Sequence, residues 1–220
     1  MLGTFYPPDE VHIWSGFFKT LTDRDFKSGL GEVVKFNIMS GENGLSDMEK
    51  HLPELLERRN DIVDRFIRSS LEYKKNFIEI DEFDRGERIK LNFAHTFGHA
   101  IEVLVKYEIP HGTAVAIGMI MANSMSCRRG LISEGMKERS EKQLLRIIDI
   151  DLSLFSDFVF ADFVSAVRKD KKQVNNEITA VLITRYGEKG ELSIVHDVKE
   201  EEIKSAVDYF IQLYRKEKNL

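Results

Sequence analysis

The chain has 220 residues, of which 42% are hydrophobic and 31% charged, and its formal net charge is −5. This composition is typical of a folded globular protein and excludes intrinsically disordered and fibrous classes. The 32 Lys and Arg residues against 37 Asp and Glu residues also give no general basic surface for nucleic acid or for an anionic membrane.

Cysteine content and hydropathy indicate the compartment. Cys127 is the single cysteine, so no disulfide can form within the chain, and the opening residues lack the basic start and apolar run of a signal peptide. The most apolar stretch, residues 114–122, is shorter than the roughly 20 residues that span a bilayer. We therefore expect a cytoplasmic protein with no membrane segment and one domain over residues 1–220.

The first half of the chain is predicted to be helical after an irregular opening. Residues 1–21 contain a Pro-Pro pair and no helical period, which predicts an extended or loop conformation. Apolar residues at helical spacing predict a helix over residues 25–39, ended by a turn over residues 40–44. Ser46 and Glu49 form a capping-box pattern, and one or two further helices are predicted to follow and to end before Asp81.

The second half adds further helices and one hairpin. Residues 91–107 are predicted to be helical, and residues 112–129 are apolar on nearly all sides, which predicts a buried central helix followed by Gly130. Amphipathic helices are predicted over residues 134–148 and 161–169 and near the C-terminus. Two β-branched runs, residues 178–184 and 192–198, flank RYGEKG and predict a hairpin. The predicted fold is mainly α, a multi-helix domain with one small β-hairpin.

Three of the six histidines lie close together in the sequence. His95 and His99 are four residues apart and would share one helix face, which Glu102 continues, and His111 begins the buried helix. Thr96 follows His95 directly, so the pattern is not the HExxH motif of zinc proteases. Two imidazoles and a carboxylate from another segment would form a divalent metal site with an open position. The alternative is that these histidines are helix-cap and surface residues with no shared role.

Glu32 is the best candidate for the carboxylate. It lies in an otherwise apolar predicted helix, where a buried carboxylate needs a partner or a metal to offset desolvation. Lys35 lies one turn away, so the alternative is a simple Glu-Lys pair on a solvated face, worth about 0.2 to 0.5 kcal/mol.

Four ordered motifs carry a family resemblance. They are SGLGEVVK, KNFIEIDEFDRGERIKLNFAHTFGHAIE, PHGTAVAIGM and DKK. In this order they resemble the C-terminal half of 3-dehydroquinate synthase and of the related sugar phosphate cyclases. The resemblance begins at GTFYPP and covers essentially the whole chain. Two departures are Ala94 and Thr113, where the synthases more often have glycine and glutamate.

The resemblance implies roles for individual residues. The metal ligands carry over to Glu32, His95 and His111, with zinc the expected metal and cobalt the alternative. Substrate contacts carry over to Lys35, Lys74, Arg88, Asn92, His99 and Lys172, where Lys171 is the alternative for the last. Catalytic roles carry over to His99, Lys35 and Asp84. At the position of Asp84 the family has a glutamate that transfers a proton. The family segment that touches the edge of NAD carries over to Phe17, Phe18, Lys19 and Thr20.

The resemblance also implies a reaction. In the family, NAD oxidises a ring hydroxyl of a seven-carbon phosphorylated keto acid, phosphate is eliminated, the ketone is reduced again, and an intramolecular aldol addition closes the new ring in the shikimate pathway. The chain contains no glycine-rich strand-turn-helix motif for NAD. The NAD-binding domain is therefore expected outside this chain, in cis in a longer chain or in trans, and the family implies a homodimer.

Two other functions remain open at this point. One is a sugar phosphate cyclase of secondary metabolism or polysaccharide synthesis. The other is a non-catalytic partner subunit that keeps the helical fold without the nucleotide-binding half. Arg88, as a planar partner for a carboxylate, favours the keto-acid substrate.

Overall fold

The computed structural model describes residues 6, 8–83, 86–156, 158–169 and 177–219. Short 3-10 helices lie at Ser15–Thr20, Glu87–Asn92 and Leu152–Phe155. The α-helices and strands of the described residues are α1 (Asp23–Met39), α2 (Glu42–Leu56), α3 (Asn60–Ile80), α4 (His95–Leu104), α5 (His111–Arg128), α6 (Glu134–Ile147), α7 (Phe160–Arg168), β1 (Ile178–Tyr186), β2 (Gly190–Val198) and α8 (Glu200–Lys218). The prediction of a mainly α fold with one small hairpin is confirmed.

Helix α5 lies at the centre of the fold. Every residue from Gly112 to Ser126 is buried, because α1, α4, α6, α8 and β1 all pack around it. Gly130 follows with a φ of +70°, a left-handed conformation in which glycine carries no Cβ penalty. The predicted buried central helix and its glycine stop are therefore confirmed. In the part of the chain that the structure describes, no helix has the length and apolar character needed to cross a membrane.

The hairpin pairs β1 with β2 in antiparallel register, from Ile178 opposite Val198 to Tyr186 opposite Gly190. Its tip packs on the start of α2, where the Glu42 amide donates to the Gly187 carbonyl over 2.8 Å. The contact explains why α2 begins at Glu42, directly after Gly41.

The structure corrects three predictions in the first half of the chain. The turn predicted over residues 40–44 is confined to residues 40–41, because α2 already begins at Glu42. Ser46 is not a helix cap, since it lies inside α2 and its hydroxyl donates to the Glu42 carboxylate over 3.0 Å. The opening, predicted to be extended or loop, contains the 3-10 helix Ser15–Thr20. Between α1 and Asp81 the chain forms two helices, α2 and α3, as one of the two alternatives predicted.

The prediction of one continuous helix over residues 91–107 is also wrong, because α4 covers only His95–Leu104 of that range. Ala94 has a φ of +69°, so the chain leaves the 3-10 helix Glu87–Asn92, turns, and begins α4 only at His95. A left-handed conformation costs a non-glycine residue about 1 to 2 kcal/mol, and here the turn is held by burial of Phe93 and Ala94 in the core. This turn places His95 at the first position of α4.

Two glycines let the backbones of α1 and α5 touch. A Cβ on Gly31 would lie 2.1 Å from the Gly112 carbonyl oxygen, and a Cβ on Gly112 would lie 1.7 Å from the carbonyl oxygen of Ser28. The Gly112 amide also donates to the Ser28 hydroxyl over 3.1 Å. Since Glu32 follows Gly31 and His111 precedes Gly112, this contact brings these two side chains together.

Alanine substitutions at neighbouring glycines of α1 should have opposite effects on stability. Gly29→Ala is expected to raise the free energy of unfolding by about 0.5 to 1 kcal/mol, because nothing lies within 4 Å of the added Cβ and alanine is the better helix former. Gly31→Ala is expected to lower it by about 1 to 3 kcal/mol, because the backbones must separate. Urea unfolding of both variants measures the difference. Equal effects would show that the close approach of α1 and α5 is not required.

Candidate metal centre and substrate cleft

The ends of two helices and the middle of a third meet at one cluster of side chains. His95 begins α4, His99 lies one turn further on, His111 begins α5, and Glu32 lies on α1. The ring centroids of His95, His99 and His111 are 5.3 to 5.7 Å apart, and one nitrogen from each ring lies within 4.8 Å of the others. These histidines form one cluster, in contrast to the alternative of unrelated cap and surface positions.

Glu32 faces this cluster with one oxygen. Its Oε1 lies 3.4 Å from His95 Nε2 and 3.7 Å from His111 Nε2. The oxygen is buried and has no hydrogen-bond partner among the residues that the structure describes. In a tetrahedral zinc site with bonds of about 2.1 Å, neighbouring ligand atoms lie about 3.4 Å apart. The orphaned oxygen and its two imidazole neighbours therefore fit a divalent cation.

The far nitrogens of the two imidazoles have fixed partners. His95 Nδ1 lies 3.0 Å from the Phe93 carbonyl oxygen, and His111 Nδ1 lies 3.1 Å from Glu102 Oε2. Both acceptors favour a proton on Nδ1, which leaves the Nε2 lone pairs toward Glu32. The sequence marked Glu102 only as a continuation of the histidine face. A carboxylate among apolar residues of α4 was the signal that could have assigned it to the site.

The charges around Glu32 favour its ionised form. Burial opposes ionisation, but His111, His95 and Lys35 outweigh it and hold the pKa of the Glu32 carboxyl far below its usual range. The pKa of His111 is raised above its usual value by Glu32, against the effect of burial, with a further contribution from Glu102. A cation bound here would meet a carboxylate that is already charged and would displace a proton from imidazole.

A cleft of about 200 Å³ opens beside the cluster. Its lining residues are Glu32, Lys35, Phe36, Lys74, Arg88, Leu91, Asn92 and His95. Four of the predicted substrate contacts thus share one cleft with two of the predicted metal ligands. Three of its described lining residues are cationic, although the chain is acidic overall. This local charge suits a substrate with phosphate or carboxylate groups.

Lys35 and Arg88 are both anchored to the protein. Lys35 is 2% exposed, and its Nζ lies 2.7 Å from Glu32 Oε2 and donates to the Leu91 carbonyl over 3.1 Å. A Glu-Lys pair on a solvated face is therefore the wrong description of this contact. The Arg88 guanidinium donates to the Glu82 carbonyl. The backbone amide of Arg88 donates to Asp81 Oδ2 over 3.1 Å.

Several predicted residues are not part of this cleft. Phe17, Phe18, Lys19 and Thr20 belong to the 3-10 helix Ser15–Thr20, and none of them lines the cleft. Asp84, Lys171 and Lys172 lie outside the described residues, so their roles stay predictions.

The sequence profile of the 3-dehydroquinate synthase C-terminal domain matches residues 29–173 of the chain. The chain belongs to this family. Two similar proteins are 3-dehydroquinate synthases, one from Dictyoglomus thermophilum, 34% identical over 94% of this chain, and one from Clostridium tetani, 37% identical over 94%. The chain covers 57% and 54% of these relatives, so it spans little more than half of their length.

Solved structures share the fold of this 3-dehydroquinate synthase C-terminal domain. A 2-epi-5-epi-valiolone synthase from Streptomyces hygroscopicus, with NAD+ and Zn2+ bound, superposes with a TM-score of 0.79 at 22% identity and covers 96% of this chain and 58% of its own. A 2-deoxy-scyllo-inosose synthase with carbaglucose-6-phosphate, NAD+ and Co2+ gives a TM-score of 0.70 at 23% identity, over 95% of this chain and 58% of its own.

Proposed function

We propose that this domain is the metal- and substrate-binding half of a 3-dehydroquinate synthase-like carbon-oxygen lyase, which eliminates phosphate from a seven-carbon keto-acid phosphate and closes a carbocycle. One observation carries the proposal. The buried Oε1 of Glu32 has no hydrogen-bond partner among the described residues and lies between His95 and His111, and the cleft beside it is lined by Lys35, Lys74 and Arg88. A divalent site next to an anion-binding cleft suits a substrate that carries phosphate and carboxylate groups.

The ligand set would be Glu32, His95 and His111, with zinc the proposed metal and cobalt the alternative. A divalent cation held there would supply Lewis-acid polarisation of a substrate hydroxyl, which eases hydride transfer to NAD in the complete enzyme. His99 is an exposed member of the histidine cluster and is proposed to hold or pass a proton at an imidazole nitrogen.

The cations of the cleft are proposed to orient the substrate. Lys35 is held rigidly by its bonds to Glu32 and to the Leu91 carbonyl, so its position would not change when substrate binds. Lys74 would contribute charge, and Arg88 would offer a planar pair of donors for the carboxylate. Asn92 lies in the same cleft and would supply a neutral hydrogen-bonding group.

A sugar phosphate cyclase is the second candidate. Two solved structures of this fold with bound NAD+ are sugar phosphate cyclases, which favours that class. Relatives of higher sequence identity are 3-dehydroquinate synthases, and Arg88 in the cleft suits a carboxylate that sugar phosphates lack. These two observations favour the keto acid.

Phosphate release from the complete enzyme tests the proposal. The 220 residues would be joined to the NAD-binding half of a related synthase and assayed with the keto-acid phosphate and with a sugar phosphate. We expect phosphate release from the keto acid that requires both NAD and a divalent metal. The 220-residue chain alone is expected to bind NAD weakly by calorimetry, because its sequence offers no phosphate-binding glycine turn.

Each alternative has its own result. Phosphate release from the sugar phosphate alone would identify a sugar phosphate cyclase. Metal binding without turnover of either substrate would identify a non-catalytic subunit. Micromolar NAD affinity of the 220-residue chain would contradict the assignment of NAD binding to a separate half.

A further inference from the structure

We propose that Glu102 is a positioning residue, whose carboxylate accepts the Nδ1 proton of His111 and thereby holds the His111 Nε2 lone pair toward Glu32. The inference rests on the proposed metal function, because the oriented nitrogen is one of the three proposed ligands. Neither the sequence pattern nor the family resemblance assigned Glu102 a role.

The geometry separates the two nitrogens of the His111 ring. Nδ1 lies 3.1 Å from Glu102 Oε2, and Nε2 lies 3.7 Å from Glu32 Oε1. A neutral imidazole has one donor and one acceptor nitrogen, and a carboxylate can only accept. Glu102 therefore selects the tautomer with the proton on Nδ1, and Nε2 becomes the acceptor that a cation needs.

His111 depends on a side-chain partner more than His95 does. The His95 side chain is 13% exposed, and its Nδ1 is 3.0 Å from a backbone carbonyl, that of Phe93 in the buried turn before α4. The His111 side chain is 46% exposed, so packing alone leaves room for the ring to rotate. Glu102 is itself only 12% exposed and is fixed on α4, so it can restrain that ring.

Glu102 does not have the position of a further metal ligand. Its carboxylate lies on the Nδ1 side of the His111 ring, whereas Glu32 Oε1, which also faces His95 Nε2, lies on the Nε2 side. A simple surface ion pair also describes it poorly, because the carboxylate is mostly buried and surface pairs contribute little. Orientation of the His111 ring is the role that fits both the burial of Glu102 and the position of its carboxylate at His111 Nδ1.

Zinc affinity and tautomer state test this role in the 220-residue chain. Glu102→Leu is expected to weaken zinc binding by about 10- to 100-fold, the effect of losing an outer partner of a ligating histidine. In metal-free protein at alkaline pH, long-range ¹H-¹⁵N spectra should show His111 protonated on Nδ1 in wild type and redistributed toward Nε2 in Glu102→Leu. Glu102→Gln keeps an acceptor oxygen, so it should restore the Nδ1–H tautomer and much of the affinity.

Glu108→Gln is the control, because it removes the same charge from an exposed position that makes no bond to His111 within the described residues. It should leave zinc affinity and the His111 spectrum unchanged. An unchanged tautomer and an affinity within twofold of wild type in Glu102→Leu would overturn the inference. If Glu102→Leu fails to fold, Glu102→Gln carries the test and should bind zinc about 3- to 10-fold more weakly, since a neutral acceptor bonds less strongly. Zinc affinity equal to that of wild type in Glu102→Gln would then overturn the inference.

The two proposals fail in different ways. If wild-type chain binds no zinc, the proposed metal function fails, while the tautomer of metal-free His111 still decides whether Glu102 orients the ring. If zinc binds and the tautomer is independent of Glu102, only the positioning role fails.

Discussion

Replacement of His95 by alanine is expected to weaken the binding of one zinc ion per chain by more than about 100-fold. The ring supplies one of three proposed ligands, and loss of an outer partner alone typically costs 10- to 100-fold. Glu32→Ala and His111→Ala should have effects of the same size, because Glu32 Oε1 faces both imidazole Nε2 atoms within 3.7 Å. Competition titration with a chelating indicator gives the affinities, and metal analysis of dialysed protein gives the stoichiometry.

His12→Ala is the matched control, because the His12 side chain is 89% exposed and lies outside the cluster. Its zinc affinity should equal that of wild type. His99→Ala separates two ligand sets, since the nitrogens of His95, His99 and His111 also lie within 4.8 Å of one another. Retained zinc in His99→Ala and lost zinc in Glu32→Ala are expected from the carboxylate site. The reverse result would identify a three-histidine site, and wild-type zinc content in both His95→Ala and His111→Ala would rule out the cluster.

Arg88→Lys in the complete enzyme is expected to lower kcat/KM for the keto-acid phosphate by about 10- to 150-fold. Lysine keeps the charge but loses one of the two parallel hydrogen bonds that a guanidinium makes with a carboxylate. Bonds of this charge-assisted kind contribute about 1.5 to 3 kcal/mol. The same substitution should change little for a sugar phosphate without the carboxylate.

The alternative is that Arg88 only holds the chain before the 3-10 helix Glu87–Asn92. Its guanidinium donates to the Glu82 carbonyl, so such a role has a visible basis. In that case Arg88→Lys would change kcat/KM equally for both substrates, or for neither, and the unfolding midpoint of the variant would fall. Arg68→Lys is the control, because Arg68 lies on α3 outside the cleft. Equal losses for both substrates would remove the main reason to prefer the keto acid over a sugar phosphate.

The sequence by itself determined most of the helices, the central position of α5 and the hairpin. These follow from local rules, because a side chain's face along a helix or strand depends on spacing alone. The same rules placed His95 and His99 one turn apart on one face. Where a local rule was weak, at Ser46 and over residues 91–107, the prediction was wrong.

Only the tertiary structure decided which groups meet. The approach of Gly31 to Gly112 places Glu32 against His111. The left-handed conformation of Ala94 directs the His95 side chain to the same carboxylate. Both depend on how closely distant backbones pack, and no periodicity of one segment encodes that distance. The bond from Glu102 to His111 likewise needed the crossing of α4 and α5. The residue types for a metal site could therefore be found in the sequence, while their orientation came from the packing of the helices that carry them.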